Sequence, residues 1–131
     1  MHKAEAFYNF WSSFGIPAWD ANTVPDEETM QDMGIDPFPR LTYTFSVGYW
    51  EDGNILQSAN LFYRSTSWDA ITAKADEIAE RIGLGGIFIP YDGGGVWLKR
   101  GTPFYQRMSD PEDEMIRRIY FNLAAEFLSA D

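Results

Sequence analysis

The residues of this chain that could carry out a reaction are its carboxylates. It has 20 Asp and Glu residues, no Cys, and a single His, His2. Without Cys there is no disulfide, thiolate nucleophile or Cys-ligated zinc, and one His cannot build the usual catalytic triads or His metal sites. Two carboxylates are enough for glycoside hydrolysis, so a pair such as Asp92 with Glu112 or Asp113 leaves one enzymatic interpretation open. Because 20 acidic residues make some pair inevitable and no motif singles one out, we predict no catalytic residue and no enzyme activity.

Two further patterns could hold a ligand, but each lacks part of the motif that it would need. The glycines of residues 83–86 and 92–95 are followed by strand-like runs, whereas a Walker motif ends in Gly-Lys-Ser/Thr and a Rossmann motif leads into a helix. Tight turns or close backbone contacts explain these glycines better. The acidic, Pro-rich segment 16–40 lacks the alternating oxygen ligands and central Gly of an EF-hand. We therefore predict a solvated loop there, no cofactor and no metal.

The formal charge of −10 and the pI near 4.4 predict a surface that repels nucleic acid phosphates. We expect no sequence-specific DNA or RNA binding, although a channel through which DNA slides would suit the same charge. The need for solubility explains it equally well. No apolar run approaches the roughly 18 residues of a membrane span, and the first residues lack the apolar core of a signal peptide. We therefore expect no membrane association and synthesis in the cytosol.

The elements around these residues begin with a predicted hairpin. Apolar side chains alternate with small or polar ones over residues 41–49, and a second strand-like run covers 55–65. A three-residue loop, 52–54, keeps the apolar residues of both runs on one face. The pairs expected from it are Tyr43 with Tyr63, Phe45 with Leu61, and Val47 with Ala59.

The other face of this hairpin is also partly apolar. The same register places Trp50 opposite Leu56, with Phe62 further along and polar residues around them. Either another element of the chain covers this face or it meets another subunit.

Two helices and a set of shorter strands complete the predicted fold. Apolar spacing predicts one helix over residues 2–14 and another that begins with a capping box at Thr66 and Asp69 and ends at Gly83. Their predicted apolar stripes are Ala4, Phe7, Tyr8, Trp11 and Phe14, and Trp68, Ile71, Ala75, Ile78 and Ile82. A short turn is expected near residues 27–33. Short strands are expected at 87–91, 96–100 and 104–108, with a turn at 101–103.

The last run, residues 115–128, fits both a strand and a helix. We choose a strand because its odd-numbered residues would extend the apolar face of the hairpin and its length suits a central strand. The predicted architecture is a single α+β domain, 1–131, with a mostly antiparallel sheet, a long hairpin and two helices packed on one face.

Several short pieces of the chain, in this order, resemble one protein family. They are Phe7-Tyr8, Phe14-Gly15-Ile16-Pro17, Val24-Pro25, Leu41-Thr42-Tyr43, Leu61-Phe62-Tyr63-Arg64-Ser65-Thr66-Ser67-Trp68, Ala73-Lys74-Ala75-Asp76-Glu77-Ile78, Asp92-Gly93-Gly94-Gly95-Val96-Trp97-Leu98-Lys99-Arg100-Gly101-Thr102-Pro103-Phe104 and Met115-Ile116-Arg117-Arg118. The family is that of the tail terminator, or tail completion, proteins of long-tailed phages of Gram-positive hosts. The stretch 30–37 is longer than the usual link in that family, which leaves the role of the loop 16–40 open.

The resemblance implies a structural virion protein that forms a ring, expected to be a hexamer, at the head-proximal end of the tail tube. There it ends tube polymerisation and joins the tail to the neck. The implied partners are further copies of itself, the tail tube protein and a head completion or connector protein, with DNA passing through the lumen. The implied location is the virion, after synthesis in the host cytoplasm.

Under this hypothesis the subunit interface includes Trp50, Leu56 and Phe62, and the loop at Asp52 and Gly53 reaches the tube or the neck. One alternative is a head completion or connector protein in the same neck. A second is a small carboxylate-based hydrolase. A third is a host-directed adaptor that binds one protein through an exposed sheet edge, which predicts a monomer.

Overall fold

The chain alternates short helices with the strands of one six-stranded sheet. The computed structural model describes residues 1–110 and 113–129. Its elements are α1 (Lys3–Ser12), β1 (Ala18–Asp20), α2 (Glu27–Asp32), β2 (Arg40–Tyr43), a 3₁₀ turn (Trp50–Asp52), β3 (Asn54–Arg64), α3 (Asp69–Ile82), β4 (Ile87–Tyr91), β5 (Gly94–Met108) and β6 (Ile116–Ser129). The strand order is β1-β2-β3-β6-β5-β4, and only β1 and β2 are parallel. The predicted α+β class with a mostly antiparallel sheet is confirmed.

The last strand, β6, lies in the middle of the sheet. It pairs with β3 from Arg64↔Ile116 to Asn54↔Glu126, and with β5 on its other side. Its odd-numbered side chains are buried because they face the helices; they are Ile119, Phe121, Leu123, Ala125 and Phe127. Burial of each large one contributes about 1.5–3 kcal/mol. The prediction of a central strand over 115–128 is confirmed, because β6 is paired with a neighbouring strand along both of its edges.

The helix α3 packs on the same face as predicted, but it begins differently. Its buried stripe is the expected one, Ile71, Ala75, Ile78 and Ile82, and Gly83 ends it with a φ of 76°. The predicted capping box at Thr66 is wrong. Instead, the Ser65 hydroxyl accepts the Ser67 N–H and the Ser67 hydroxyl accepts the Asp69 N–H, both at 3.1 Å. These two local turns delay the start of the helix to Asp69.

The first helix buries Phe7, Trp11 and Phe14 of the predicted stripe, but not its other two members. Ala4 and Tyr8 are exposed, and the helix spans Lys3–Ser12 rather than 2–14. The buried residues of the helix and its end are Ala6, Phe7, Phe10, Trp11 and Phe14. Among residues 1–110 and 113–129, no helix has the length and apolar character needed to cross a bilayer.

The helix α1 contacts both edge strands of the sheet, β1 and β4. A flat sheet of six strands would hold its edges far apart, because neighbouring strands lie about 4.8 Å from each other. The sheet therefore curls around α1. The Phe7 ring stacks on Phe127 and the Trp11 ring on Tyr43, each with centroids 6.2 Å apart, so that α1 fills the concave side.

Burial of Tyr43 beneath α1 raises the pKa of its hydroxyl to about 12. The folded chain thus holds this proton more tightly than the unfolded chain, whose Tyr pKa is about 10. The stabilisation is complete below the unfolded pKa and is lost as the pH rises through the folded pKa. We expect the free energy of unfolding in urea to fall by up to about 2–3 kcal/mol between about pH 10 and 12. The fall should be smaller in Tyr43→Phe, with a remainder from Tyr63, whose pKa burial also raises; an equally steep fall would contradict this.

The predicted hairpin register is wrong. The strand β2 ends at Tyr43, which pairs with Ala59 instead of Tyr63. The chain leaves the sheet because Phe45 packs edge-on against Phe7, with ring centroids 5.0 Å apart. A ten-residue connection, 44–53, therefore replaces the three-residue loop. Because the difference of four residues is even, each side chain of the paired residues keeps its predicted face.

The segment 16–40 contains two elements rather than one loop. The expected short turn near 27–33 is the helix α2, whose N-terminal Asp26 accepts the Thr29 N–H at 2.7 Å. This backbone hydrogen bond lowers the pKa of Asp26. The strand β1, parallel to β2, was not predicted because three residues are too few for a visible alternation.

The strand β5 continues through the predicted turn at 101–103. Arg100 pairs with Leu123 and Tyr105 with Phe121, so that four residues of β5 face the single residue Asn122 of β6. A Cβ at position 101 would lie 2.8 Å from the Asn122 carbonyl oxygen, which explains the glycine there. The turn signals of the sequence mark a bulge, not the end of a strand.

Candidate subunit interface

The helices α1 and α3 cover one face of the sheet, and the opposite face carries the even-numbered residues of β3 and β6. We call this the outer face. Its β1–β2 corner is covered by the segment around α2, since Met30 and Phe38 are buried without belonging to the main core. Towards β5 and β4 the outer face carries exposed apolar side chains. Cover by the same chain, one of the two alternatives, therefore holds at this corner, whereas among the described residues the part towards β5 and β4 stays exposed.

Phe62 lies in the covered corner. The Arg40 guanidinium stacks on both Phe62 and Phe38, at 4.6 and 4.7 Å from the ring centroids. Burial between the rings lowers the pKa of Arg40, while Glu27 opposes the shift. Arginine remains charged in proteins, so this is a cation–π stack within the chain. The structure thus places Phe62, half-buried, against its own chain.

Leu56 lies in the uncovered part of the outer face. It is 83% exposed, opposite Ala124 in the middle of the sheet. Phe62 is six residues further along the same strand, which corresponds to about 20 Å. The structure therefore does not bring Leu56 and Phe62 together into one patch.

Trp50 lies outside the sheet, so its predicted pairing with Leu56 is wrong. It begins the 3₁₀ turn, in which the Asp52 carboxylate accepts the Tyr49 N–H at 2.7 Å. Gly53 directly precedes β3 and has a φ of 69°, a backbone conformation that favours glycine. The side chains of Val47, Tyr49 and Trp50 are all exposed, Trp50 by 65%. We call these three residues the apolar loop tip.

The connection behind the apolar loop tip is held by Gln57. Its buried side-chain amide accepts the Ser46 N–H at 3.1 Å and donates to the Ser46 carbonyl oxygen, as a paired peptide group would. The Thr44 hydroxyl accepts the Ser58 N–H at 2.8 Å beside it. These contacts fix where the loop leaves the sheet.

We expect Gln57→Ala to lower the free energy of unfolding by about 1–3 kcal/mol, because the Ser46 backbone groups lose their partner. Chemical denaturation measures this change. Gln106→Ala is the matched control, since Gln106 is exposed on β5. Equal effects of the two substitutions would contradict the role of Gln57.

Three further exposed apolar residues, which the sequence did not reveal, lie close together on β4, β5 and β6. They are Phe88, Trp97 and Leu128. Phe88 pairs with Trp97. The Phe88 ring lies over Gly95, since a Cβ added at position 95 would come within 2.1 Å of that ring. Gly95 in turn pairs with Leu128. The sequence shows that these residues alternate with their neighbours between the two faces of a strand. It does not show which face of the sheet the rest of the chain leaves exposed.

The proposed carboxylate pair does not converge. Asp92 precedes Gly94, which pairs with the end of β6, whereas Asp113 precedes the start of β6. A hydrogen bond from the N-terminal ammonium lowers the pKa of Asp92, and one from the Met115 N–H lowers that of Asp113. Glu112 lies outside the described residues.

The other two ligand patterns of the sequence have structural roles. Gly93, with a φ of 86°, turns the chain from β4 into β5. In the ranges 1–110 and 113–129, no group of three or more His, Asp and Glu side chains is placed to hold a metal ion.

The chain matches no family model, no curated protein and no solved structure in the comparisons that we made.

Proposed function

We propose that this chain is a structural subunit of a phage virion. Copies of it form a ring, expected to be a hexamer, at the head-proximal end of the tail tube. The ring ends tube polymerisation and joins the tail to a head completion or connector protein of the neck. The proposal combines the resemblance of many short sequence pieces with the surface of the folded subunit.

The observation that carries the proposal is the exposed apolar surface on one side of the subunit. Leu56, Phe88, Trp97 and Leu128 lie on the outer face, and Trp50 projects beside it from a turn that contacts β6. Monomeric proteins rarely expose this many large apolar groups close together, because contact with water is unfavourable. A surface of this kind supports assembly with a protein partner.

The edges of the sheet favour assembly through faces and loops. The edge strand β1 has three residues, and the edge strand β4 contains Pro90, which has no N–H to donate. Short edges and proline both oppose the addition of a further strand. This argues against the adaptor that binds through a sheet edge.

The charge of the chain suits a lumen through which DNA moves. The net charge is −10, and the segment 16–40 alone carries six carboxylates against one base, Arg40. A wall of this sign repels the DNA backbone and keeps it from binding as it passes.

The test is to mix the purified protein with tail tube protein during tube assembly and to view the products by negative-stain electron microscopy. We expect rings at one end of each tube and shorter tubes as the protein concentration rises. Tubes of unchanged length with bare ends would contradict the proposal. Binding to portal rings without binding to tubes would instead assign the protein to the connector layer.

A further inference from the structure

A ring of identical subunits needs two different contact surfaces on each subunit. In such a head-to-tail contact, one surface of a copy meets another surface of the next copy. The apolar loop tip supplies one candidate surface. The inference that follows identifies the second, and it rests on the ring of the proposed function.

The apolar loop tip has the features of an inserting group. Tyr49 and Trp50 are more than half exposed, although tryptophan and tyrosine are the side chains that contribute most when they are buried at interfaces. The tip is also held in place, because Asp52 caps its turn and Gln57 fixes its base. A fixed tip loses little conformational freedom on binding, which favours affinity.

A groove between α1 and β4 offers a matching apolar surface. It has a volume of about 330 Å³, at the low end of the range for binding pockets, which gives room for one large side chain. Its walls include Ala6, Asn9 and Phe10 of α1 and residues 87–90 of β4. Phe88, which is exposed, lies at the border between this groove and the outer face.

The charges beside the tip and the groove are opposite. Glu51 follows Trp50 directly and is exposed. Arg81 lines the groove. Its guanidinium donates a hydrogen bond to the Ser13 hydroxyl at 3.3 Å and lies 5.1 Å from the centroid of the Phe14 ring. Within the part of the chain that the structure describes, neither Glu51 nor Arg81 forms an ion pair. A contact between copies would pair them.

We propose that the apolar loop tip of one copy inserts into the α1–β4 groove of the next copy, with Glu51 facing Arg81. Each copy then gives one tip and receives one, and the contact repeats around the ring. The occupant of the groove is thus a second copy of this chain, identified by apolar fit and by charge.

Disulfide trapping tests the contact directly, because the natural chain has no Cys. Tyr49→Cys and Asn9→Cys change two exposed positions and leave Trp50, Glu51 and Arg81 intact. Under oxidation, the double variant should give a ladder of covalent multimers up to the full ring on a non-reducing gel. Each single variant alone should stay monomeric, and a mixture of the two should give dimers.

Two outcomes of the trapping experiment overturn the inference. The first is a double variant that forms no species larger than a dimer at the highest soluble concentration. The second is Tyr49→Cys alone giving dimers as efficiently as the mixture, because the tips would then meet each other. Circular dichroism of each variant establishes that the subunit is folded.

A charge exchange tests the pairing of Glu51 with Arg81. Glu51→Arg and Arg81→Glu should each weaken self-association by about 10-fold, and the variant with both changes should recover most of the loss. Analytical ultracentrifugation gives the association constants. A double variant that is no better than the single variants would overturn the pairing.

The outcomes separate this inference from the proposed function. A covalent ladder from a protein that leaves tube length unchanged would support the contact and contradict the tube-capping role. A protein that caps tubes but forms no ladder would keep that role and overturn the contact.

Discussion

Replacing Phe127 by Ala should lower the free energy of unfolding by about 3–5 kcal/mol, the usual cost of removing a fully buried phenylalanine ring. Phe127 has no exposed surface and stacks on Phe7, so it joins the central strand to the helix that fills the curled sheet. Domains of this size are stable by only about 5–15 kcal/mol. We therefore expect the variant to unfold at a much lower urea concentration.

The adjacent residue provides the matched control. Leu128 lies on the same strand but on the outer face, 43% exposed. Leu128→Ala should change the stability of the isolated subunit by less than about 1 kcal/mol. If the two substitutions had equal effects on the monomer, β6 would not have one buried and one open face.

The second large effect should appear in self-association. Replacing Trp50 and Leu56 together by Ser should weaken the assembly by roughly 1,000-fold in Kd, if each residue contributes as an interface hot spot. Neither side chain supports the core, because both are largely exposed. The variant should therefore remain folded and appear as a monomer when its mass is measured by light scattering.

The control for this variant is Met33→Ser, which removes an exposed apolar side chain after α2. It should leave the mass of the assembly unchanged. An unchanged mass for the Trp50 and Leu56 variant, in a sample whose natural form is a ring, would show that these residues lie outside the interface.

The sequence predicted the elements whose evidence is local. The alternation of β6 and the stripe of α3 are each present within a single run of residues, and burial follows such a pattern closely. The register of β2 on β3 was predicted wrongly, because it depends on contacts between distant parts of the chain. Phe45 packs on Phe7, and the Gln57 amide replaces a backbone partner, neither of which a pattern of residue types can reveal.

The candidate interface was predictable only in part for a similar reason. Leu56 was placed correctly on the outer face, since the parity of the register was right. Phe62 is covered by Arg40, which belongs to β2 and is distant from it in sequence. This cover depends on how the segment 16–40 folds back onto the sheet. Phe88 and Trp97 were missed because exposure on β4 and β5 depends on which face of the sheet the helices leave open.

The central position of β6 has a consequence for how the subunit folds. The strands β3 and β6 form the middle of the sheet, yet Arg64 pairs with Ile116 and Asn54 with Glu126, so that paired residues lie more than fifty positions apart. Closing such long loops makes folding slow, on the order of milliseconds to seconds. The sheet cannot be completed before residues 116–129 have emerged from the ribosome. During synthesis, β3 therefore lacks its longest pairing until β6 has been made, and the sheet is complete only afterwards.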